Sequence, residues 1–219
     1  MSHEPTPPAQ PCSHDRQLPG ADVDNSAMIA AFCPAISDGD TFIYTEMLDR
    51  TKRNGNNGVR LLKTFYHRSV EEFWAQWPTI KQLCDLSKVR ACTRLAPRSY
   101  AKVGATFTRM VVEASLTANW AGMKSLYNRA CGTTSPNEKL WLFDIDQRTE
   151  KTDSLARLLE SSGVLRARIP SKKGEHLITV AFNQEPFVGR HGESGWSAWG
   201  EVTLHKDNPT NLYIPEGAA

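Results

Sequence analysis

The sequence of 219 residues contains no apolar run close to the ~20 residues that a membrane-spanning helix requires. Its first 20 residues lack the apolar segment of a secretory signal and are rich instead in proline, serine, histidine and glutamine. These two absences predict a cytoplasmic protein that has no membrane partner.

Cysteine is scarce, and no C-x-x-C pair occurs. The five cysteines are widely spaced, and no histidine stands at zinc-finger spacing, so neither a structural zinc site nor a disulfide framework is expected. The 40% hydrophobic content is that of an ordinary globular protein, and the length suits one large domain or a domain with a subdomain.

Acidic residues are missing from two stretches, residues 50–70 and 86–112, although the whole chain is nearly balanced at 26 Lys+Arg against 24 Asp+Glu. Such stretches suggest a surface that binds phosphates, with a solvated basic face as the alternative. The basic residues concerned are Arg50, Lys52, Arg53, Arg60, Lys63 and Arg68 in the first stretch, and Lys88, Arg90, Arg94, Arg98, Lys102 and Arg109 in the second.

Three residues of the second stretch are the candidates for contacting nucleic acid. Arg94 and Arg98 flank Pro97 between a predicted strand and a predicted helix, and Lys102 follows in that helix. A loop of this kind is a suitable place to contact backbone phosphates. The aromatic residues that could stack on bases are Tyr66, Tyr100 and Trp120, although tryptophan on a helix is more often a core residue.

The sequence patterns divide the chain into three parts and indicate the α+β class. Residues 1–25 are a proline-rich tail that is expected to be disordered, residues 26–135 an N-terminal α/β part, and residues 136–219 a second part. The second part follows the order β-α-β-β-loop-β-β, which predicts an RRM-like or palm-like antiparallel sheet with a helix on one face.

Local signals predict the individual elements. Ser69 and Glu72 form a capping box that begins a helix towards Leu86, Asp153 caps a short helix that Gly163 closes, and residues 54–58 form a loop. Residues 99–130 show helical spacing and form one long helix or two shorter ones. The predicted strands are residues 59–66, 89–95, 140–146, 164–169, 175–182, 201–205 and 211–214.

Two aspartates, Asp144 and Asp146, stand at the end of a continuously apolar strand. Since positions i and i+2 of a strand point to the same face, both carboxylates converge on one spot. Two anions held that close favour a divalent cation between them, and their hard oxygen ligands select Mg or Mn. The alternative is that only one of them matters, as a helix cap or turn residue.

A turn between two predicted strands carries Ser171, Lys172, Lys173 and Gly174, and His176 opens the strand that follows. A hydroxyl, two ammonium groups and free backbone N–H groups can hold a triphosphate, and the imidazole can donate to a phosphate oxygen. The alternative is a charged hairpin with an incidental histidine.

A site for two metal ions needs a third carboxylate. Asp207, which follows the strand at 201–205, is favoured, and Glu201 at the start of that strand is the rival. Asp207 would otherwise simply open a β-turn.

The order of these motifs resembles the catalytic core of the archaeo-eukaryotic primase superfamily, including the small primase-polymerase domains of plasmids and phages. The resemblance rests on the Asp-x-Asp strand end, the Ser/Gly turn before a strand-borne histidine, and an apolar strand that ends in aspartate. It covers residues 60–214 in element order but only these three motifs in detail. Lys172 and Lys173 stand where the family usually has glycines.

The resemblance implies a nucleotidyltransferase that uses two Mg or Mn ions. Asp144, Asp146 and Asp207 would hold the metal ions, and Ser171 and His176 would contact the phosphates of the incoming nucleotide. Its partners would be nucleoside triphosphates and a single-stranded or primer-template nucleic acid lying across the basic N-terminal face. Two alternatives remain open: a metal-dependent nuclease and a non-catalytic, RRM-shaped protein that binds single-stranded nucleic acid.

Overall fold

The computed structural model describes residues 21–33, 39–50, 58–120, 122–188 and 195–218. Most of the predicted tail and most of the predicted loop at 54–58 therefore lie outside the described residues. Within the described ranges the chain forms nine strands and six α-helices. The strands are β1 (Val23–Asp24), β2 (Thr41–Asp49), β3 (Arg60–His67), β4 (Arg90–Ser99), β5 (Leu140–Ile145), β6 (Leu165–Pro170), β7 (Glu175–Val180), β8 (Val202–Lys206) and β9 (Thr210–Ile214). The helices are α1 (Ser26–Ala30), α2 (Val70–Ser87), α3 (Tyr100–Leu116), α4 (Leu126–Thr133), α5 (Glu150–Ser161) and α6 (Glu185–Val188), with 3-10 turns at Met123–Ser125 and Gly195–Trp199.

The strands form two antiparallel sheets, which confirms the α+β class. The first sheet has the order β1-β9-β4-β2-β3 and the second the order β6-β7-β5-β8. Strand β5 lies inside the second sheet, between β7 and β8, and its register places Asp144 beside His176 on one side and Thr203 on the other.

Local capping explains where several helices begin. The Ser69 hydroxyl accepts the N–H of Glu72 at 3.2 Å and starts α2 as predicted. The prediction that Asp153 caps α5 was wrong, because the reciprocal Thr149 and Thr152 side chains cap this helix and Asp153 lies in its first turn.

The second sheet is covered on both faces, as the apolar run of β5 predicted. Phe143 and Ile145 pack against Leu155 and Leu159 of α5. On the opposite face, the buried side chain of Leu142 belongs to a larger cluster that includes residues of the first sheet and of α2. The face that carries Leu142 therefore also carries Asp144, and Asp146 follows directly after the last residue of β5.

The two sheets do not follow the predicted division of the chain at residues 25 and 135. Strand β9 pairs with β4 and β1, so the last strand belongs to the first sheet. Val23, which the sequence placed in the tail, is buried in β1. Strand β2, the partner of both β3 and β4, was not predicted at all. In the part of the chain that the structure describes, no helix has both the length and the apolar character needed to cross a membrane.

Candidate functional site

A cleft of about 700 Å³ is lined by residues of both sheets. The second sheet and its β6–β7 turn contribute the residues that the sequence singled out, and the first sheet contributes most of the positive charge. The charged and titratable residues that line the cleft are Glu46, Arg50, Arg90, Arg94, Asp144, Asp146, Lys172, Lys173 and His176.

Both aspartates of the D-x-D motif face this cleft. Leu142 and Asp144 alternate along β5, Asp146 follows directly after its last residue, and all three line the cleft. The Asp144 side chain is 42% exposed, and its Oδ1 lies 3.3 Å from His176 Nε2. The hydrogen bond from His176 lowers the pKa of Asp144, and partial burial opposes this effect.

His176 is held from both sides of its ring. It is buried on β7, and its Nδ1 lies 2.8 Å from the hydroxyl of Thr210 on β9 of the other sheet. The Asn211 amide nitrogen lies 3.4 Å from Nε2, a longer contact than the one to Thr210. The histidine at the cleft is therefore positioned by the first sheet as well as by its own strand.

The turn from Ser171 to Gly174 packs directly on the end of β5. The Ser171 N–H donates to the Gly174 carbonyl, and the Gly174 N–H donates to the Ser171 hydroxyl, each at 3.0 Å. A Cβ on Gly174 would lie 1.7 Å from the Ile145 carbonyl oxygen and 2.8 Å from the backbone of Asp146. Glycine is required here because the backbone of the turn touches the strand that carries the aspartates.

Two lysines of this turn line the cleft. The ammonium group of Lys172 donates to the carbonyl of Ala218. Burial and the neighbouring Arg90 lower the pKa of Lys172. Lys173 is exposed and lines the same cleft, so the turn contributes two positive charges beside the aspartates.

Three arginines from the first sheet and its edge line one side of the cleft, which we call the positive wall. Arg90 and Arg94 lie four positions apart on β4 and face the cleft together with Arg50. Burial, with the nearby Arg50, lowers the pKa of Arg90. Arg94 forms an ion pair with Glu46 at 3.4 Å. From sequence, Arg50 and Arg90 were identified only as basic residues, and Glu46 was not identified. Alternation along β4 and β2 was the signal that could have identified this face.

Asp207 does not join the two aspartates. Because β8 runs antiparallel to β5, its C-terminal end lies beside the start of β5, and the Asp207 N–H contacts the Leu140 carbonyl at 3.3 Å. Its carboxylate is ion-paired with Arg98, and its backbone carbonyl accepts from Arg94. Asp207 therefore lies four positions along β5 from Asp144, outside the lining of the cleft.

Arg98 was predicted to contact nucleic acid, and the structure contradicts this. Its side chain is fully buried (0% exposed) and donates to the Cys131 carbonyl in addition to its pair with Asp207. Lys102 is exposed but lies outside the cleft lining and donates to Asn137 at 2.9 Å. Arg94 is the member of the predicted set that faces the cleft.

The aromatic candidates also separate. Tyr66 and Tyr100 pack on the buried Phe42, with ring centroids 5.6 and 4.2 Å away. They belong to a small core between the first sheet and α3 and α4. Trp120 is 56% exposed, contrary to the core alternative.

Asp144 and Asp146 are two carboxylates at the cleft that a divalent ion would need to share with other ligands. In the described ranges, no three histidine, cysteine or acidic residues stand together as a metal site, and Glu201 is exposed and outside the cleft lining. Asp144 and Asp146 do supply hard carboxylate oxygens at the cleft. Mg²⁺ is commonly held by one or two carboxylates plus substrate phosphates, and these residues fit that mode.

Comparisons of the chain with protein-family models, with curated protein sequences and with solved structures returned no match. Functional inference therefore depends on the geometry and charge of the cleft.

Proposed function

We propose that the protein is a template-dependent nucleotidyltransferase of the primase-polymerase type, which adds a nucleotide from a nucleoside triphosphate to a nucleic-acid 3′-hydroxyl. One observation carries this proposal. Two carboxylates at the end of β5, Asp144 and Asp146, share a cleft with five lysine and arginine side chains from both sheets. Cations that bind phosphates and carboxylates that bind a divalent ion are the two requirements of phosphoryl chemistry.

The residues of the cleft divide into two roles. Lys172, Lys173 and the Ser171 turn lie next to Asp146 and are suited to hold the triphosphate, while His176 Nε2 is placed to donate to a phosphate oxygen. Asp144 and Asp146 are the candidate ligands of Mg²⁺ or Mn²⁺. When bound, such an ion lowers the pKa of the attacking hydroxyl and neutralises charge on the triphosphate.

The proposed nucleic-acid track runs along the other wall of the cleft. Arg50, Arg90 and Arg94 lie there, and they replace the predicted set of Arg94, Arg98 and Lys102. Phosphate contacts of this kind position a strand without reading its sequence.

The arrangement of the second sheet supports the RRM-like or palm-like assignment. Its four antiparallel strands carry α5 on one face, and the face opposite α5 presents the aspartates to the cleft. The primase resemblance, which rests on the Asp-x-Asp strand end and the turn before His176, is compatible with this arrangement.

The first test is extension of a labelled primer-template in Mg²⁺ or Mn²⁺. We expect Asp144→Asn to reduce the rate on the order of 10³-fold, because charge stabilisation supplies most of such catalysis. Asp24→Asn is the matched control, since Asp24 lies outside the cleft and pairs with Lys81 at the surface. Equal extension by wild type and Asp144→Asn would remove the proposed metal site, and shortening of the primer instead of extension would indicate a nuclease.

The second test separates nucleotide from nucleic-acid binding. We expect the double variant Lys172→Ala, Lys173→Ala to raise the KM for the nucleotide while template affinity changes little. The control is Lys102→Ala, which removes an exposed lysine outside the cleft. The reverse pattern would assign the two lysines to the nucleic-acid track.

A second candidate function is favoured by the position of Asp207. Because Asp207 pairs with Arg98, Asp144 and Asp146 are left of the three carboxylates that were predicted to hold two metal ions. A non-catalytic nucleic-acid binding protein needs the positive wall and no third carboxylate. Binding of single strands at wild-type affinity by Asp144→Asn, with no extension by either protein, would favour this candidate.

A further inference from the structure

The contact between Thr210 and His176 joins the two sheets beside the cleft. His176 is on β7 of the second sheet and Thr210 on β9 of the first, and the Thr210 side chain is completely buried. The Oγ1 atom of Thr210 and the Nδ1 atom of His176 lie 2.8 Å apart, which is a normal hydrogen-bond distance.

The other ring nitrogen determines the direction of this hydrogen bond. Nε2 lies 3.3 Å from Oδ1 of Asp144, a 42% exposed carboxyl group that is ionised at neutral pH and can therefore only accept. A favourable contact requires that Nε2 carries a proton. In a neutral imidazole the proton is then absent from Nδ1, so the hydroxyl of Thr210 must donate to it.

The contact from Asn211 does not reverse this assignment. Its amide nitrogen lies 3.4 Å from Nε2, longer than the Asp144 contact, and its oxygen faces the Cys92 thiol at 3.7 Å. An uncharged donor at that distance is weaker than a carboxylate acceptor.

The strand that carries Thr210 is itself held against the second sheet. The Asn25 side chain donates to the carbonyl of Asn211 on β9 at 2.8 Å and to that of Pro170 on β6 at 2.9 Å. Asn25 is buried, so the backbone beside Thr210 is fixed relative to the strand next to β7.

We propose that Thr210 is a positioning residue: its hydroxyl donates to Nδ1 of His176, fixes the ring and keeps the Nε2 proton directed at Asp144 and the cleft. The consequence for ligand binding rests on the proposed function, in which that Nε2–H group contacts a phosphate. The first sheet would then supply positive charge to the cleft and also orient a donor that belongs to the second sheet.

The direct test is imidazole ¹⁵N NMR of the ligand-free protein at about pH 8.5, two units above the ordinary histidine pKa. His176→Gln identifies the His176 signals among the six histidines. We expect a single tautomer protonated at Nε2 in the wild type, changed Nδ1 and Nε2 shifts in Thr210→Val, and recovery in Thr210→Ser. Thr179→Val is the matched control, because Thr179 is a buried threonine like Thr210, lies on the same strand as His176, and its hydroxyl has no partner among the described residues.

A proton on Nδ1 in the wild type would overturn the inference, and so would unchanged His176 shifts in Thr210→Val. The wild-type spectrum decides the tautomer even if Thr210→Val does not fold.

The consequence for the cleft is measured by binding of a Mg²⁺–nucleoside triphosphate. We expect Thr210→Val to weaken binding about threefold to tenfold, which corresponds to one neutral hydrogen bond, with recovery in Thr210→Ser and no change in Thr179→Val. Wild-type affinity in Thr210→Val would overturn the positioning role. Absence of triphosphate binding by the wild type would count against the proposed function, while the NMR result still decides the role of Thr210.

Discussion

Two aspartates beside opposite ends of β5, Asp144 and Asp207, lie in opposite environments. Near the end of the strand, Asp144 is 42% exposed and faces the cleft. Beside its start, Asp207 is 25% exposed and pairs with an arginine that is completely buried. The carboxylate that faces the cleft can accept a new ligand, whereas the one beside Leu140 already neutralises a buried charge. Position along β5 therefore separates a carboxylate that faces the cleft from one that pairs with a buried arginine.

The largest expected effect comes from making the same substitution, aspartate to asparagine, at Asp207 and at Asp144. Asp207→Asn leaves the Arg98 guanidinium buried without its carboxylate, and we expect the free energy of unfolding to fall by about 3–5 kcal/mol. Asparagine tolerates the left-handed backbone conformation of this position, where Asp207 has a φ of 61°. Asp144→Asn is the control and should cost less than about 1 kcal/mol, because its carboxylate is half-exposed. Urea unfolding measures both.

Equal destabilisation by the two substitutions would remove the distinction between the ends. A loss of primer extension in Asp207→Asn at a temperature where the variant is still folded would return Asp207 to the catalytic site.

The end of β5 that carries Asp144 and leads to Asp146 could be predicted from sequence, because its arrangement depends on residues that are close together in the chain. Alternation places Asp144 and Asp146 on one face, and the short β6–β7 connection returns the chain to the neighbouring strand. The turn and its histidine therefore lie near the aspartates in any sheet in which β5 and β7 pair.

The other end could not be predicted, since it depends on contacts distant in sequence. Arg98 and Asp207 are 109 positions apart, and the pairing of β8 with β5 decides which end of the strand Asp207 reaches. The same holds for β9, whose place between β1 and β4 brings Thr210 to His176. Basic residues could be counted from the sequence, but whether they face solvent or the core depended on the sheet.

His67 extends the comparison to a titratable group that is completely buried. His67 is completely buried on β3, where its Nε2 lies 2.8 Å from the Thr45 hydroxyl, and burial lowers its pKa from 6.5 to about 4. The unfolded chain binds a proton near pH 6.5 that the folded chain does not accept until about pH 4. Stability is therefore full above pH 6.5 and should fall by up to about 3 kcal/mol as the pH drops to 4.

Urea unfolding of the wild type and His67→Gln across pH 7 to 4 tests this expectation. The variant lacks the titrating group, so its stability should fall less over that window by about the same 3 kcal/mol. If the free energies of unfolding of the two proteins changed in parallel with pH, the expected lowering of the His67 pKa by burial would be wrong.

The smallest of the three effects tests whether the end of β5 that carries Asp144 depends on backbone contact. Gly174→Ala places a methyl group 1.7 Å from the Ile145 carbonyl, so the turn and the end of β5 must separate, at a cost of about 1–3 kcal/mol. Gly104→Ala makes the same chemical change inside α3, where the added Cβ would meet no described atom within 4 Å apart from the helix's own backbone and the neighbouring residues, and should stabilise the protein by about 0.5–1 kcal/mol. Opposite signs in urea unfolding are expected. If Gly174→Ala is as stable as wild type and still extends primers, the turn does not hold the aspartates in place, and the cleft depends on the sheets alone.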